Sequence, residues 1–267
     1  MSAFAGRVVV VTGASSGIGR ALCLELAPQR PRLVLAARDA PALEAVGAGC
    51  RRAGAETLAV PTDVAAPEAC RALVERTIAE WGVLDVLVHN AGMTMWSRFD
   101  EVEDTEVFER LMRVNYLGPV HLTYHALPHL VRARGRIAVV ASVAGLTGVP
   151  TRTGYAASKH AVFGFFDSLR IELEGTGVTV TMIAPDFVLS EIHRRALGPD
   201  GQPLGKSPLA EGRIMTAEEC ARLMVPAIEK RRRLLITSRR GRVGRWVRLA
   251  APGLIDRIAR RAITAGH

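Results

Sequence analysis

The sequence predicts an α/β domain on a doubly wound parallel sheet, followed by a basic amphipathic helical extension. Three observations predict it. Nearly unbroken runs of Val, Ile, Leu and Ala recur along the chain, helix-length amphipathic segments separate them, and a glycine-rich junction follows the first run. Strands buried on both faces carry such continuous apolar runs, and they belong to parallel sheets crossed by right-handed helical connections. The chain has 267 residues, 49% hydrophobic and 23% charged. At this length a chain buries about three quarters of its unfolded surface, so it needs neither disulfide nor metal staples. Cys23, Cys50, Cys70 and Cys220 form no C-x-x-C pair, which argues against a zinc or redox site and for a reducing, cytoplasmic setting.

The strands are expected at 7–12, 32–37, 56–62, 84–89, 136–142 and 178–184, with a shorter one at 233–237. The helices are expected at 17–27, 41–53, 67–81, 105–133, 155–174 and 217–229. Residues 189–215 break this rhythm with Gly198, Pro199, Gly201, Pro203, Gly205 and Pro208. Irregular stretches of that length are usually functional, and this one follows a strand end, where open α/β sheets bind ligands. We read 1–238 as one dinucleotide-binding catalytic domain, with 189–215 as a substrate lid, and 239–267 as the extension. No apolar run approaches the ~20 residues that cross a bilayer, and the run at 7–12 is too short for a secretion signal.

The first strand leads into Thr12-Gly13-Ala14-Ser15-Ser16-Gly17-Ile18-Gly19. Gly13 permits a tight turn, Gly17 lets backbone approach a pyrophosphate, and Gly19 lets the helix pack close to the strand; free N–H groups at the helix start then hold phosphate. The second strand ends Ala36-Ala37-Arg38-Asp39. Ala37 stands where an acid would accept from an NAD ribose, and the fork of Arg38 suits a 2′-phosphate, so NADP is expected over NAD. The alternative has Arg38 solvated and Asp39 touching the ribose.

Tyr155-Ala156-Ala157-Ser158-Lys159 lies in a predicted helix, which sets Tyr155 and Lys159 one turn apart on one face. A phenol is a poor base at neutral pH, and a neighbouring ammonium lowers its pKa. Ser142 ends the fifth strand and is placed to hydrogen-bond a reacting oxygen. Asn115 interrupts an apolar helix, where a buried amide needs partners; one role is holding a water that links to Lys159, the other a core amide bonded to backbone. Asn90-Ala91-Gly92 closes the fourth strand, and Gly92 leaves room for a flat ligand.

Thr12-Gly-x-x-x-Gly-Ile-Gly19, Asp63-Val64, Asn90-Ala-Gly92, Asn115, Ser142 and Tyr155-x-x-x-Lys159 together resemble the short-chain dehydrogenase/reductase family, over about residues 6–236. The resemblance implies a Rossmann-type seven-stranded sheet and a nicotinamide cofactor. It makes Tyr155 the general acid/base, with Lys159 binding the nicotinamide ribose and lowering the tyrosine pKa. Ser142 would orient the substrate oxygen, and Asn115 would support a proton relay. Asp63 and Val64 would contact adenine, while Asn90, Ala91 and Gly92 would line the adenine-ribose side. Pro185, Val188 and Ser190 would meet the nicotinamide end. The family's Pro-Gly after strand six is Pro185-Asp186 here. That carboxylate either borders the nicotinamide or caps a following helix.

The expected pocket residues, Met93, Met95, Trp96, Val143, Leu146, Val149 and Phe187, are apolar, and no Arg/Lys cluster among them suits a phosphorylated or carboxylated substrate. A hydrophobic ketone, aldehyde or secondary alcohol is expected, with Met93, Trp96, Leu146, Ser142 and Tyr155 as its contacts. A non-enzymatic NADP-binding sensor or scaffold is the alternative on this fold. No metal is expected.

The net charge of +9 is uneven: Lys230 to His267 carries +11 and the rest −2. Nucleic-acid binding over the whole surface is therefore not supported. Val243, Trp246, Val247, Ala250, Leu254, Ile255, Ile258 and Ile263 repeat at helical spacing opposite arginines, with a break at Pro252-Gly253. Such a helix lies on an anionic membrane surface, covers the pocket, or packs between subunits. Family resemblance implies a homodimer or homotetramer through helices 105–133 and 155–174.

Overall fold

The computed structural model describes residues 3–208 and 214–264. The strands are β1 (Val8–Thr12), β2 (Arg32–Ala37), β3 (Glu56–Pro61), β4 (Val86–His89), β5 (Arg136–Val140) and β6 (Thr179–Ala184), then the two-residue β7 (Val188–Leu189) and β8 (Met215–Thr216), and β9 (Leu234–Ile236). The helices are α1 (Gly17–Leu26), α2 (Ala40–Arg52), α3 (Pro67–Trp81), α4 (Glu106–Met112), α5 (Gly118–Ala133), α6 (Thr153–Glu172), α7 (Ala217–Glu229), α8 (Arg239–Ala250) and α9 (Pro252–Thr264). The main sheet runs β3-β2-β1-β4-β5-β6-β9, with every neighbouring pair parallel. This is the Rossmann-type seven-stranded sheet that the resemblance implies.

Successive strand residues point to opposite faces, and both faces of β1 are buried. Val9 and Val11 pack with Leu22 of α1, Leu43 of α2 and Met224 of α7. Val8 and Val10 pack with Leu73 of α3, Leu122 of α5 and Phe166 of α6. β4 begins at Val86 rather than residue 84 because Asp85 turns inward as a bracket. Its carboxylate accepts from Val8 N at 2.9 Å and from Arg7 Nη1 at 2.7 Å.

Two expectations change. The single helix at 105–133 is interrupted between α4 and α5 by a wide π-helical turn, Arg113–Leu117. The segment 189–215 is not a free loop in its described part. β7 pairs with β8, Leu197 N donates to Thr94 O at 2.9 Å, and Trp96 N donates to Leu197 O at 2.8 Å. Lid residues 209–213 and tail residues 265–267 lie outside the described residues.

The extension forms α8 and α9, parted at the expected Pro252. Ser238 Oγ caps α8 by accepting from Gly241 N at 2.9 Å. Arg248 donates to Leu146 O and reaches His160 Nε2 at 3.2 Å, which ties α8 to the catalytic body. Among the described residues no helix is long and apolar enough to cross a membrane.

Candidate active site

The glycine turn sits where β1 runs into α1. Gly13 has φ +66° and Gly17 φ +51°, the left-handed region that favours glycine. A Cβ on Gly19 would lie 2.2 Å from the Gly13 carbonyl oxygen and 2.4 Å from Asn90 Nδ2, so a side chain there would force α1 off the strand. Ser16 precedes α1 in extended conformation, and its side chain caps nothing. The first N–H groups of α1 therefore have no side-chain acceptor, and the helix start fits a phosphate.

Asn90 clamps this turn to the end of β4. Its Nδ2 donates to Thr12 O at 2.9 Å and to Gly13 O at 3.2 Å, while the backbone N–H groups of Asn90 and Ala91 both donate to Thr12 Oγ1 at 3.0 Å. Asn90 thus shapes the phosphate turn with both amide N–H groups. At the end of β2, Asp39 Oδ1 accepts from Ala42 N at 3.0 Å and caps α2, while Arg38 stays exposed on the cavity rim. Asp39 is thereby engaged by its own helix.

A cavity of about 1070 Å³ runs from the glycine turn to the lid, above the usual range of about 300–1,000 Å³ for a single small-ligand pocket. Ser15, Ser16, Gly17 and Ile18 line one end, and Arg38, Asp63 and Val64 line its rim. Asn90, Ala91, Gly92, Ser142, Tyr155 and Lys159 line the middle. Pro185, Val188 and Ser190 face them, with Met93, Trp96 and Leu146 on the apolar wall. Three predicted residues stand outside the lining. Gly19 and Asn115 support the cavity from behind, and Met95 is fully buried in a small core with Leu111, so it is no pocket residue.

Asn115 lies in the wide turn and is buried. Its Oδ1 accepts from Met93 N, and its Nδ2 donates to Met93 O and to Ser158 Oγ, each at 2.9 Å; Ser158 Oγ donates in turn to Tyr155 O at 2.8 Å. The amide joins the loop after β4 to α6 through its bonds to the Met93 backbone and to Ser158. Gly92 is required here: a Cβ on it would lie 3.2 Å from Asn115 Oδ1 and 3.7 Å from Lys159 Nζ.

Tyr155, Lys159 and Ser142 are all buried. Lys159 Nζ donates to Val140 O at 3.0 Å and lies 5.8 Å from the Tyr155 ring centroid. Burial pulls the Lys159 pKa down to about 8. Burial also pushes the Tyr155 pKa up, against a hydrogen bond with Ser142 and the charge of Arg152, which both lower it. The Arg152 guanidinium is thus a cation that favours the phenolate, against the effect of burial. Asp186 lines the cavity beside Pro185 and Phe187, and it caps no following helix, because the next element is the strand β7. Its carboxylate accepts from Ser238 Oγ and from Arg240 on α8.

The family profile described as short chain dehydrogenase matches residues 7–198. The chain belongs to that family. It is 37% identical over 258 residues to an 11-beta-hydroxysteroid dehydrogenase of Pinus massoniana, covering 94% of this chain and 72% of that protein. It is 33% identical over 261 residues to a dehydrogenase/reductase SDR family protein 7-like of Dictyostelium discoideum, covering 96% and 81%. The crystal structure of a short chain dehydrogenase/reductase from Burkholderia phymatum in complex with NAD superposes with a TM-score of 0.83 at 28% identity, covering 95% of this chain and 96% of that one. The chain is an oxidoreductase of the short-chain dehydrogenase/reductase family, with a fold that binds a nicotinamide cofactor.

Arg152 is the oxidoreductase's pocket residue that sequence reasoning missed. It is 6% exposed, with its guanidinium carbon 4.1 Å from the Trp96 ring centroid and 5.1 Å from that of Phe187. Arg152 precedes Tyr155 by three residues but stands at the N-cap of α6, outside its regular turns, so helical spacing alone does not place it.

Proposed function

We propose that this oxidoreductase passes hydride between NADP(H) and a hydrophobic ketone or aldehyde, or the matching secondary alcohol. The observation that carries this reading is the buried Tyr155 beside Ser142 and Lys159, in one cavity with the glycine turn and the apolar wall. Ser15, Ser16, Gly17 and Ile18 would hold the pyrophosphate, and Lys159 the nicotinamide ribose. When bound, the dinucleotide would supply or accept the hydride.

Ser142 orients the substrate oxygen toward Tyr155. In reduction the Tyr155 hydroxyl gives its proton to that oxygen; in oxidation the phenolate takes one back. The Arg152 guanidinium would offset the charge left on the phenolate. The exposed fork of Arg38 and the engaged carboxylate of Asp39 support NADP as the cofactor. The hydroxysteroid dehydrogenase relatives support an apolar substrate of that kind.

Tyr155→Phe tests the mechanism. Turnover should fall by roughly 10²–10⁴-fold, while cofactor affinity stays within about twofold. A near-normal rate on the real substrate rejects it.

A second reading concerns the extension. Val243, Trp246 and Leu249 of α8 are exposed on a helix rich in arginine, which supports peripheral contact with an anionic membrane. Co-sedimentation with anionic vesicles, with and without residues 239–267, tests it. Exposed Tyr124 on α5 and Ile171 on α6 support pairing of two copies, which sedimentation velocity would read directly.

A further inference from the structure

Among the described residues, Arg152 is a buried cation of the cavity with no counter-charge. Arg152 Nη2 is shielded from solvent and has no hydrogen-bond partner, and among the described residues no carboxylate lies within ion-pair distance of the guanidinium. The two acids lining that end of the cavity are already engaged: Glu191 with Arg194 at 3.9 Å, and Asp186 with Arg240 at 2.7 Å. What Arg152 does have is the rings of Trp96 and Phe187, whose centroids lie 4.1 and 5.1 Å from its guanidinium carbon, a cation–π contact that supplies no hydrogen-bond acceptor to Nη2. His193 covers it from the lid. That imidazole donates from Nε2 to Val188 O at 3.2 Å, while Nδ1 is buried and unpartnered. Arg152 Nη2 is therefore a buried donor without an acceptor, in the same cavity as Tyr155 and the apolar wall.

A buried ion without a partner is costly, and so is a buried polar atom left without one. Native sites keep such groups when a ligand completes them. Nicotinamide phosphates do not answer the need, because their cradle is at the glycine turn, at the opposite end of the cavity. Resting on the reading of the site as a carbonyl reductase, we propose that Arg152 binds a carboxylate carried by the substrate, so that the preferred substrate is an apolar keto acid or hydroxy acid rather than a purely hydrocarbon ketone. The guanidinium edge meets the carboxylate. Trp96 and Phe187 pack against the guanidinium and would border the apolar part of the same substrate.

The test is isothermal titration with 2-naphthoate and its uncharged analogue 2-naphthamide, with and without saturating NADPH. Wild-type protein should bind naphthoate about tenfold tighter or more, as expected of a charge-assisted hydrogen bond. Arg152→Leu should erase that gap, and Arg152→Lys should keep part of it. Equal affinities for the two compounds in the wild type, absence of binding by both, or a gap that survives Arg152→Leu would overturn the proposal. The wild-type comparison decides alone should Arg152→Leu fail to fold. Naphthoate preference without any NADPH binding would instead reject the reductase reading and leave Arg152 as the anion site.

Discussion

Arg240 grips Asp186 through both carboxylate oxygens, with Nη2 to Oδ1 at 2.7 Å and Nε to Oδ2 at 3.2 Å. Ser238 Oγ adds a third bond at 2.8 Å, and the Asp186 backbone N–H donates to Thr237 Oγ1 at 3.2 Å. The loop after β6, which borders the cavity, and the first turn of α8 therefore form one hydrogen-bonded unit. Burial pushes the Asp186 pKa up, but the bonds from Arg240 and Ser238 outweigh it and hold the carboxyl below its ordinary range. The linked stability is present above the unfolded value near pH 4 and is lost as pH falls through the lowered folded value.

Asp186→Ala should release α8. The pair is half exposed, so its worth is about 1–2 kcal/mol, which raises local opening by roughly 5–30-fold. Trypsin should then cut among Arg239, Arg240, Arg242 and Arg245 that much faster, leaving the catalytic body intact. An unchanged cleavage rate would show that the pair does not anchor the extension.

Arg38→Asp should reverse the cofactor preference. It removes the cation that suits the 2′-phosphate and supplies an acceptor for a ribose hydroxyl. NADPH affinity should weaken by about tenfold or more and NADH affinity should improve. Fluorescence titration with both dinucleotides reads the ratio; an unmoved ratio places the discrimination elsewhere.

Lys159→Met should abolish turnover and raise thermal stability. Burial holds the Lys159 pKa at about 8, against about 10.4 when unfolded. The penalty for the charge is fully present below pH 8 and is relieved as pH rises toward 10.4. The bond to Val140 O offsets part of it, leaving a gain of about 1 kcal/mol, or roughly 2–4 °C in Tm at pH 7. That advantage should fade by about pH 10. Calorimetry at the two pH values gives the answer, and a variant that melts lower at pH 7 would show that the hydrogen bond outweighs the buried charge.

Gly19→Ala should weaken cofactor binding and cost about 1–3 kcal/mol of stability, because the added methyl meets the rigid Gly13 carbonyl. Gly148→Ala is the control, since nothing lies within 4 Å of its Cβ. Equal melting and binding for the two variants would mean that α1 shifts without consequence.

What could be read before the fold was known follows from local pattern. Val8 to Val11 announce a strand buried on both faces, and the interval between Tyr155 and Lys159 announces a shared helical face. Both need only neighbours in sequence. The aromatic cradle of Arg152 needs Trp96 from the loop after β4 and Phe187 from the loop after β6, which only the folded chain brings together. The wide turn at Arg113–Leu117 escaped notice because the apolar spacing from 105 to 133 fits a regular helix nearly as well. Asp186 was misread for a related reason. Its partner Arg240 sits in a tail whose many arginines look alike until one of them is placed.

The wide turn around Asn115 has a consequence for how this chain tolerates change in length. A regular helix turns about 100° per residue, and the π-helical turn accommodates its surplus residue without disturbing what lies on either side. Trimming one amino acid from that stretch would let the backbone relax into ordinary geometry. It would also swing either the amide or the buried side of α5 a quarter-turn or more about the axis. The more regular helix is thus closed to this molecule, because straightening it would unfasten the polypeptide around Tyr155.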